Sequence, residues 1–316
     1  MNIQFLDPLT RALARMKKAL FKPFDLKKWF IVGFTAFLAE LTDSARSSGS
    51  GTGKESTGDF NWDEVINFPQ TVRQWLQDNP EWFALIIAGI CVILVIIVLF
   101  TWLSSRGKFM FLDNVIHDRA QVKKPWQEFR IQGNSLFSWY LIFIFTTLTV
   151  FILYLVNCYN YIYDIYNNDL DFKALLFPAL WIIVGLLLLF MVVSFIDLLL
   201  TDFVVPIMYR YRLSTSDAWH MFLPLLYANF GYFFGYAAMI FCIYILVVVG
   251  IIVVGLFTCC IGFLFLISPY ISSVTLLPVS YTMRAFSVEF LEQFGPDYHI
   301  FPGPAAGSRN EIPTSV

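Results

Sequence analysis

Between positions 218 and 283 the chain runs for 66 residues without one Asp, Glu, Lys or Arg. In water such a stretch has no polar face to show. In a bilayer it has a place, because a hydrocarbon core of about 30 Å is crossed by about 20 apolar residues once the backbone is closed on itself as a helix. A second run, residues 82–103, is 22 residues long and unbroken, the length of one crossing. Composition agrees: 14% of residues are charged and 34 are Phe, where soluble domains carry about a quarter charged residues. The expectation is an all-α fold, a polytopic transmembrane helical bundle of about six spans with amphipathic interfacial helices.

Residues 1–28 read as a basic amphipathic interfacial helix. Leu9, Leu13, Met16 and Leu20 fall at steps of four, three and four, one stripe of a helix. Seven cations, Arg11, Arg15, Lys17, Lys18, Lys22, Lys27 and Lys28, stand against Asp7 and Asp25. Each cation near an anionic leaflet adds about 1 kcal/mol, so these are expected to contact anionic lipid. A positive flank that only orients the next span reads equally well. Residues 29–41 form a short span, about 20 Å of helix at 1.5 Å per residue.

Residues 42–81 change abruptly to Ser, Gly, Thr and charge, then to Trp62, Phe68 and Trp75 among acids and amides. They are expected to be an extracytoplasmic flexible linker followed by an interfacial segment. Residues 82–285 are the transmembrane bundle. Within it, residues 104–133 read as a basic loop along the membrane, and residues 158–173 as an acidic, tyrosine-rich connection. Two spans are expected within 218–283, broken near Gly250 to Gly262. Residues 286–316 are a cytoplasmic tail.

The net charge of −2 is uninformative, but its distribution is not. Short basic segments precede residue 29, follow residue 103 and surround Arg210 and Arg212, while the connections between them are acidic. The excess of Lys and Arg in short loops marks the cytoplasmic side. Six crossings then leave both termini in the cytoplasm.

Four stretches carry a resemblance: KPFDLKKWFIVGFTAFLA, WLSSRGKFMFLDNVIHDRA, DFVVPIMYRYRLSTSDAW and MRAFSVEFLEQFGPDY. Together they resemble a family of uncharacterised bacterial multi-pass membrane proteins, more distantly similar to the membrane-domain portion of glycerophosphodiester phosphodiesterases. The resemblance implies a helical bundle in a bacterial inner membrane. It transfers no activity, since the membrane portion of those enzymes is not their catalytic portion.

Few residues suggest chemistry. The five cysteines show no CxxC spacing, and His117, His220 and His299 are scattered without ligand spacing, so neither a metal nor a cofactor is expected. GSGTGKES resembles a phosphate loop, but Ser48 stands where Gly is needed and Glu55 where Ser or Thr is needed. Asp197 is the most informative charge. Ser194, Asp197 and Thr201 follow at steps of three and four, one polar stripe on an apolar helix, with Asp202 beyond them. An intramembrane carboxylate costs a few kcal/mol and faces protein or water. The stripe is either a polar site for a cation, proton or headgroup, or a set of boundary acids paired with Arg210 or Arg212. Pro269 and Pro278, among hydroxyl side chains, can break a helix, as in a transport site or a simple kink. Gly231 and Gly235 form a GxxxG that favours packing within the chain over a homodimer seam.

Two functions fit. One is a non-enzymatic accessory or scaffold protein that associates with membrane lipids, a membrane protein partner or a second copy of itself. The other is a transporter or channel for a lipid or small solute. No nucleic-acid partner is expected.

Overall fold

The computed structural model describes residues 3–42, 62–167, 172–258 and 268–302, which form helices joined by turns, with no strand among them. The linker at 43–61, part of the acidic connection, Cys259, Cys260 and the tail beyond residue 302 lie outside the described residues. Helix α1 spans Leu6–Phe21, α2 Leu26–Ala39, α3 Trp62–Asp78, α4 Pro80–His117, α5 Lys123–Glu128, α6 Arg130–Asn167 and α7 Phe172–Leu199. A π-helical turn at Leu200–Val204 leads to α8 (Val205–Tyr211), α9 (Thr215–Ala228), α10 (Phe230–Phe257), α11 (Pro269–Thr275) and α12 (Leu277–Leu291).

Among the described residues four helical stretches are long and apolar enough to cross a bilayer: Pro80–His117, Arg130–Asp164, Ala179–Tyr211 and Phe230–Phe257. The chain is an all-helical membrane protein. Of the other two segments read as spans, the last is described only from residue 268 onward, since 259–267, with part of the break expected near Gly250 to Gly262, lie outside the described residues. Helix α2 has 14 residues, about 21 Å of rise. The end of the charge-free stretch is divided at Leu276 into α11 and α12, with Pro278 in the first turn of α12. Proline has no N–H to give the carbonyl of Val274 four residues earlier. That oxygen instead accepts from the Trp29 indole N–H at 2.8 Å.

The exposure pattern of α4 shows why its sequence is so apolar. Residues 80–99 are exposed on every side of the helix, and residues 101–116 are almost all buried. A helix apolar all round and uncovered by protein needs an apolar solvent. At 38 residues α4 is about 57 Å long, nearly twice what one crossing needs. Its second half, expected as a loop along the membrane, is a buried helix. Arg106, Lys108, Asp113 and Asn114 are all inside. Arg106 donates to Asn134 Oδ1 at 2.9 Å, and the partners of the other three, described below, make their burial tolerable.

The described residues divide into two units. The first takes those of Met1–Leu41, Leu103–Phe137 and Phe195–Val316. The second takes those of Thr42–Trp102 and Ser138–Ser194. In the second unit the Tyr154 hydroxyl donates to the carbonyl of Ile182 at 3.2 Å. That approach needs the absent side chain of Gly185, where a Cβ would lie 2.1 Å from the hydroxyl oxygen.

The core of the first unit is aromatic. Phe203, Phe222, Phe233, Tyr236, Phe286 and Phe290 are each completely buried. The Phe203 and Phe233 rings meet edge to face at 4.9 Å, and Tyr236 tilts over Phe290 at 4.8 Å. Each buried ring contributes about 1.5–3 kcal/mol, well above the 0–1 kcal/mol of an exposed ion pair. Rings, not surface charges, hold this unit together.

Helix α12 runs through that core, with every residue from 284 to 291 buried. The division expected between residues 285 and 286 therefore falls inside a core helix, and the one expected between 28 and 29 falls inside α2. Helix α1 packs on α12 through Pro8, Ala12, Met16, Ala19 and Leu20. The buried stripe is rotated from the one read in the sequence. Small Ala12 and Ala19 face the neighbour, while Leu13 stays exposed.

Candidate functional site

The π turn at Leu200–Val204 holds two of the polar residues that the sequence singled out, Thr201 and Asp202. Its cause is local. The Val205 N–H bonds the carbonyl of Leu200, five residues back, so the next bond in that register, to the carbonyl of Thr201, falls to Pro206, which has no N–H. The freed Thr201 oxygen accepts from Arg284 Nη1 at 2.7 Å. The Thr201 hydroxyl accepts from Lys108 Nζ at 2.9 Å.

Asp202 completes the junction. Its carboxylate accepts from the Tyr236 hydroxyl at 2.9 Å and lies 3.8 Å from Arg284 Nη1. Lys108 is 2% exposed and Arg284 7%, so two cations are held inside the protein. Asp202 lies within electrostatic reach of both, which offsets part of that charge. Four elements meet here, α4, the π turn, α10 and α12. Tyr236→Phe keeps the ring and removes one donor from Asp202, so it is expected to cost about 1 kcal/mol. The melting temperature of the solubilised protein should fall by a few degrees, whereas Tyr227→Phe, on a side chain 79% exposed, should leave it unchanged.

Of the stripe read in the sequence, Thr201 and Asp202 lie in this junction. Asp197 is half-buried in the last turn of α7, and Ser194 is exposed in the second unit. The partners expected for the acids are engaged elsewhere. Arg212 pairs with Glu128 and stacks 4.0 Å over Phe129. Arg210 bonds the Pro296 carbonyl at 3.4 Å and lies over the Tyr211 ring. The cation at Asp202 is Arg284, distant in sequence and brought in by α12.

The seven cations read as lipid contacts divide. Arg11 and Arg15 both pair with Glu289 of α12, a carboxylate 3% exposed, and Lys28 pairs with Asp118 at 2.8 Å. Lys17, Lys18, Lys22 and Lys27 are exposed.

Three further features were not legible in the sequence. Asp113, 1% exposed, takes a bidentate fork from Arg119 at 2.7 to 3.0 Å and the Tyr209 hydroxyl at 2.8 Å. Glu292 fastens the segment after α12 by accepting from the amides of Ile300 and Phe301. Tyr281 donates to the Val115 carbonyl at 3.2 Å. The signals for these were single charges next to aromatic residues, which read as membrane-flanking positions as easily as core ones.

Among the described residues no three His, Cys, Asp or Glu side chains come together as a metal site requires. His117 lies 3.3 Å from Asp113, and His299 lies 3.5 Å from Glu292. Of the GxxxG pair, Gly235 packs within the chain against the Phe5 ring, whereas a side chain at Gly231 would meet nothing within 4 Å.

A family model described as a family of unknown function (DUF7544) matches residues 3–300. No curated protein and no solved structure matches the chain.

Proposed function

The chain belongs to that family of unknown function, and we propose, from its own geometry, that it is a non-enzymatic integral membrane protein acting as an accessory or scaffold component. The observation that carries this reading is the closure of the buried charges. Asp202 and Arg284, Asp113 and Arg119, and Glu289 with Arg11 and Arg15 each find their partner inside the fold. Charges satisfied in this way fix helices in register and present a rigid surface. The exposed Lys17, Lys18, Lys22 and Lys27 are the lipid contacts in this reading.

Six crossings remain the proposed topology. Helices α2 and α11 pack on each other, with the Tyr270 ring 6.0 to 6.3 Å from Phe30, Phe34 and Phe37. Their outer faces carry exposed Leu26, Phe30, Phe34 and Ile271, as lipid-facing helices do. Four and six are both even numbers, so either leaves the two termini on one face. The basic bias places that face in the cytoplasm, in a bacterial inner membrane. The likeness to the membrane portion of glycerophosphodiester phosphodiesterases fits such a bundle and brings no catalytic centre with it.

Mass spectrometry of the protein released from a gentle detergent tests the reading. It is expected to show bound lipid or a co-purifying protein, and a bare lipid-free monomer would overturn it. The transport alternative draws on half-buried Asp197 and Asp202 beside a π turn, a feature common at functional sites. In proteoliposomes loaded with a pH-sensitive dye, a proton flux lost in Asp197→Asn would favour transport. The scaffold reading expects no flux above protein-free vesicles.

A further inference from the structure

A cavity of about 390 Å³ opens in the first unit where the end of α4, helix α5, the end of α8 and residues 300–302 converge. That volume lies in the range of small-ligand sites, about 300–1,000 Å³. Four cations line it, Arg119, Lys124, Arg210 and Arg212, against the two carboxylates Asp113 and Glu128, an excess of two positive charges.

The carboxylates are already used. Asp113 is filled by the Arg119 fork and the Tyr209 hydroxyl, and Glu128 is paired with Arg212. What is left over is Lys124, exposed and without a partner among the described residues, and Arg210, whose bond to the Pro296 carbonyl is long at 3.4 Å. Two backbone positions beside these residues are also unusual. Asp118 and Arg212, with φ of 49° and 56°, are the non-glycine residues of left-handed conformation among the described residues. Each flanks or belongs to a segment that lines the cavity. Such a conformation costs about 1–2 kcal/mol for a side chain with a Cβ. Its recurrence around one cavity shows that the surrounding packing holds this rim in place.

We propose that this cavity is a binding site for a phosphate-bearing anion, held by Lys124 as a point charge and by Arg210 as a planar donor, with Arg119 and Arg212 set behind them. A phosphate group carries one to two negative charges and three acceptor oxygens, which matches the excess charge and the free donors. Arginine and lysine are the side chains that phosphate recognition uses. The phosphate has two possible sources, a soluble phosphate compound or the headgroup of an anionic lipid. The site goes beyond lipid association in general, because it names one cavity and two side chains.

The test compares the full chain with the double variant Lys124→Ala/Arg210→Ala and with a control that removes two cations elsewhere, Arg73→Ala/Arg130→Ala. The affected side chains are exposed, so unchanged melting without ligand checks the fold, and Lys124→Ala alone serves if the double variant is unstable. In the first arm, inorganic pyrophosphate is titrated into detergent-solubilised protein. In the second, protein from vesicles of phosphatidylcholine mixed with phosphatidylglycerol is sprayed intact and retained phosphatidylglycerol is counted. Binding weakened about tenfold or more in the double variant and not in the control supports the site, since a lost charge-assisted hydrogen bond is worth that much. A response in the first arm identifies a soluble source, and a response in the second alone identifies a headgroup. Wild-type-like binding in the double variant, an equal loss in the control, or no binding in either arm overturns it. Total lipid retained by the wild type reports separately on the scaffold reading.

Discussion

Asp113→Ala is expected to lower the melting temperature of the solubilised protein by about 6–20 °C. The carboxylate is 1% exposed and Arg119 24%, so the pair sits largely out of water. Removing one partner of a buried ion pair costs about 3–5 kcal/mol, because the other charge is left without compensation. For a domain of this size each kcal/mol is worth about 2–4 °C. The variant also takes the carboxylate from the Tyr209 hydroxyl, leaving it the His117 Nδ1 at 3.3 Å; the Tyr209 ring is stacked 4.6 Å from Phe129. Arg119→Ala should cost a comparable amount by the same logic. The double variant should cost less than the two single losses together, with a coupling of about 0.5–3 kcal/mol. Asp118→Ala, which removes the half-exposed partner of Lys28, should stay within about 1 kcal/mol. If fluorescence-monitored melting gave Asp113→Ala and Asp118→Ala equal shifts, Asp113 would not be a buried anchor.

Such anchors explain which parts of the fold could be read in the sequence. The charge-free runs gave the membrane class and the long helices without ambiguity, because no other solvent accepts twenty exposed apolar residues in a row. Proline marked one break directly, since Pro278 sits where α11 gives way to α12, and Pro206 follows the π turn. What filled the breaks was not legible. The oxygen that Pro206 leaves free is met by Arg284, 83 residues away, and the one at Val274 by Trp29, 245 residues away. A missing N–H is a local fact, whereas the donor that replaces it is a product of tertiary packing. Charge position misled for a related reason. Arg106, Lys108 and Asp113 follow an apolar span directly, where cations usually mark the membrane edge. Here they continue the same helix into a protein core. The polar stripe was recognised at Thr201 and Asp202, but its cation was sought in nearby Arg210 and Arg212 rather than in α12.

The close approach of α2 to α4 gives the second large effect, and its sign discriminates. An added Cβ at Gly107 would lie 2.6 Å from the Leu38 carbonyl carbon and 2.7 Å from the Ala39 nitrogen. Both are backbone atoms of α2 and cannot rotate aside, so Gly107→Ala must push the helices apart. That movement strains the bond from the Ser104 hydroxyl to the Ala39 carbonyl, at 2.8 Å, and the contact of Asn114 with the Thr35 hydroxyl, at 3.3 Å. Alanine gains about 1 kcal/mol over glycine in a helix, and overpacking costs about 1–3 kcal/mol. Because backbone is what the methyl meets, the cost belongs at the upper end and the net loss is about 2 kcal/mol. Gly231→Ala meets nothing within 4 Å and should keep the helix gain, raising the melting temperature slightly. Amide exchange along α2 should quicken in the first variant and not in the second. A stabilised Gly107→Ala would mean that the two helices do not touch at this point, and the packing assigned to the second half of α4 would fall with it.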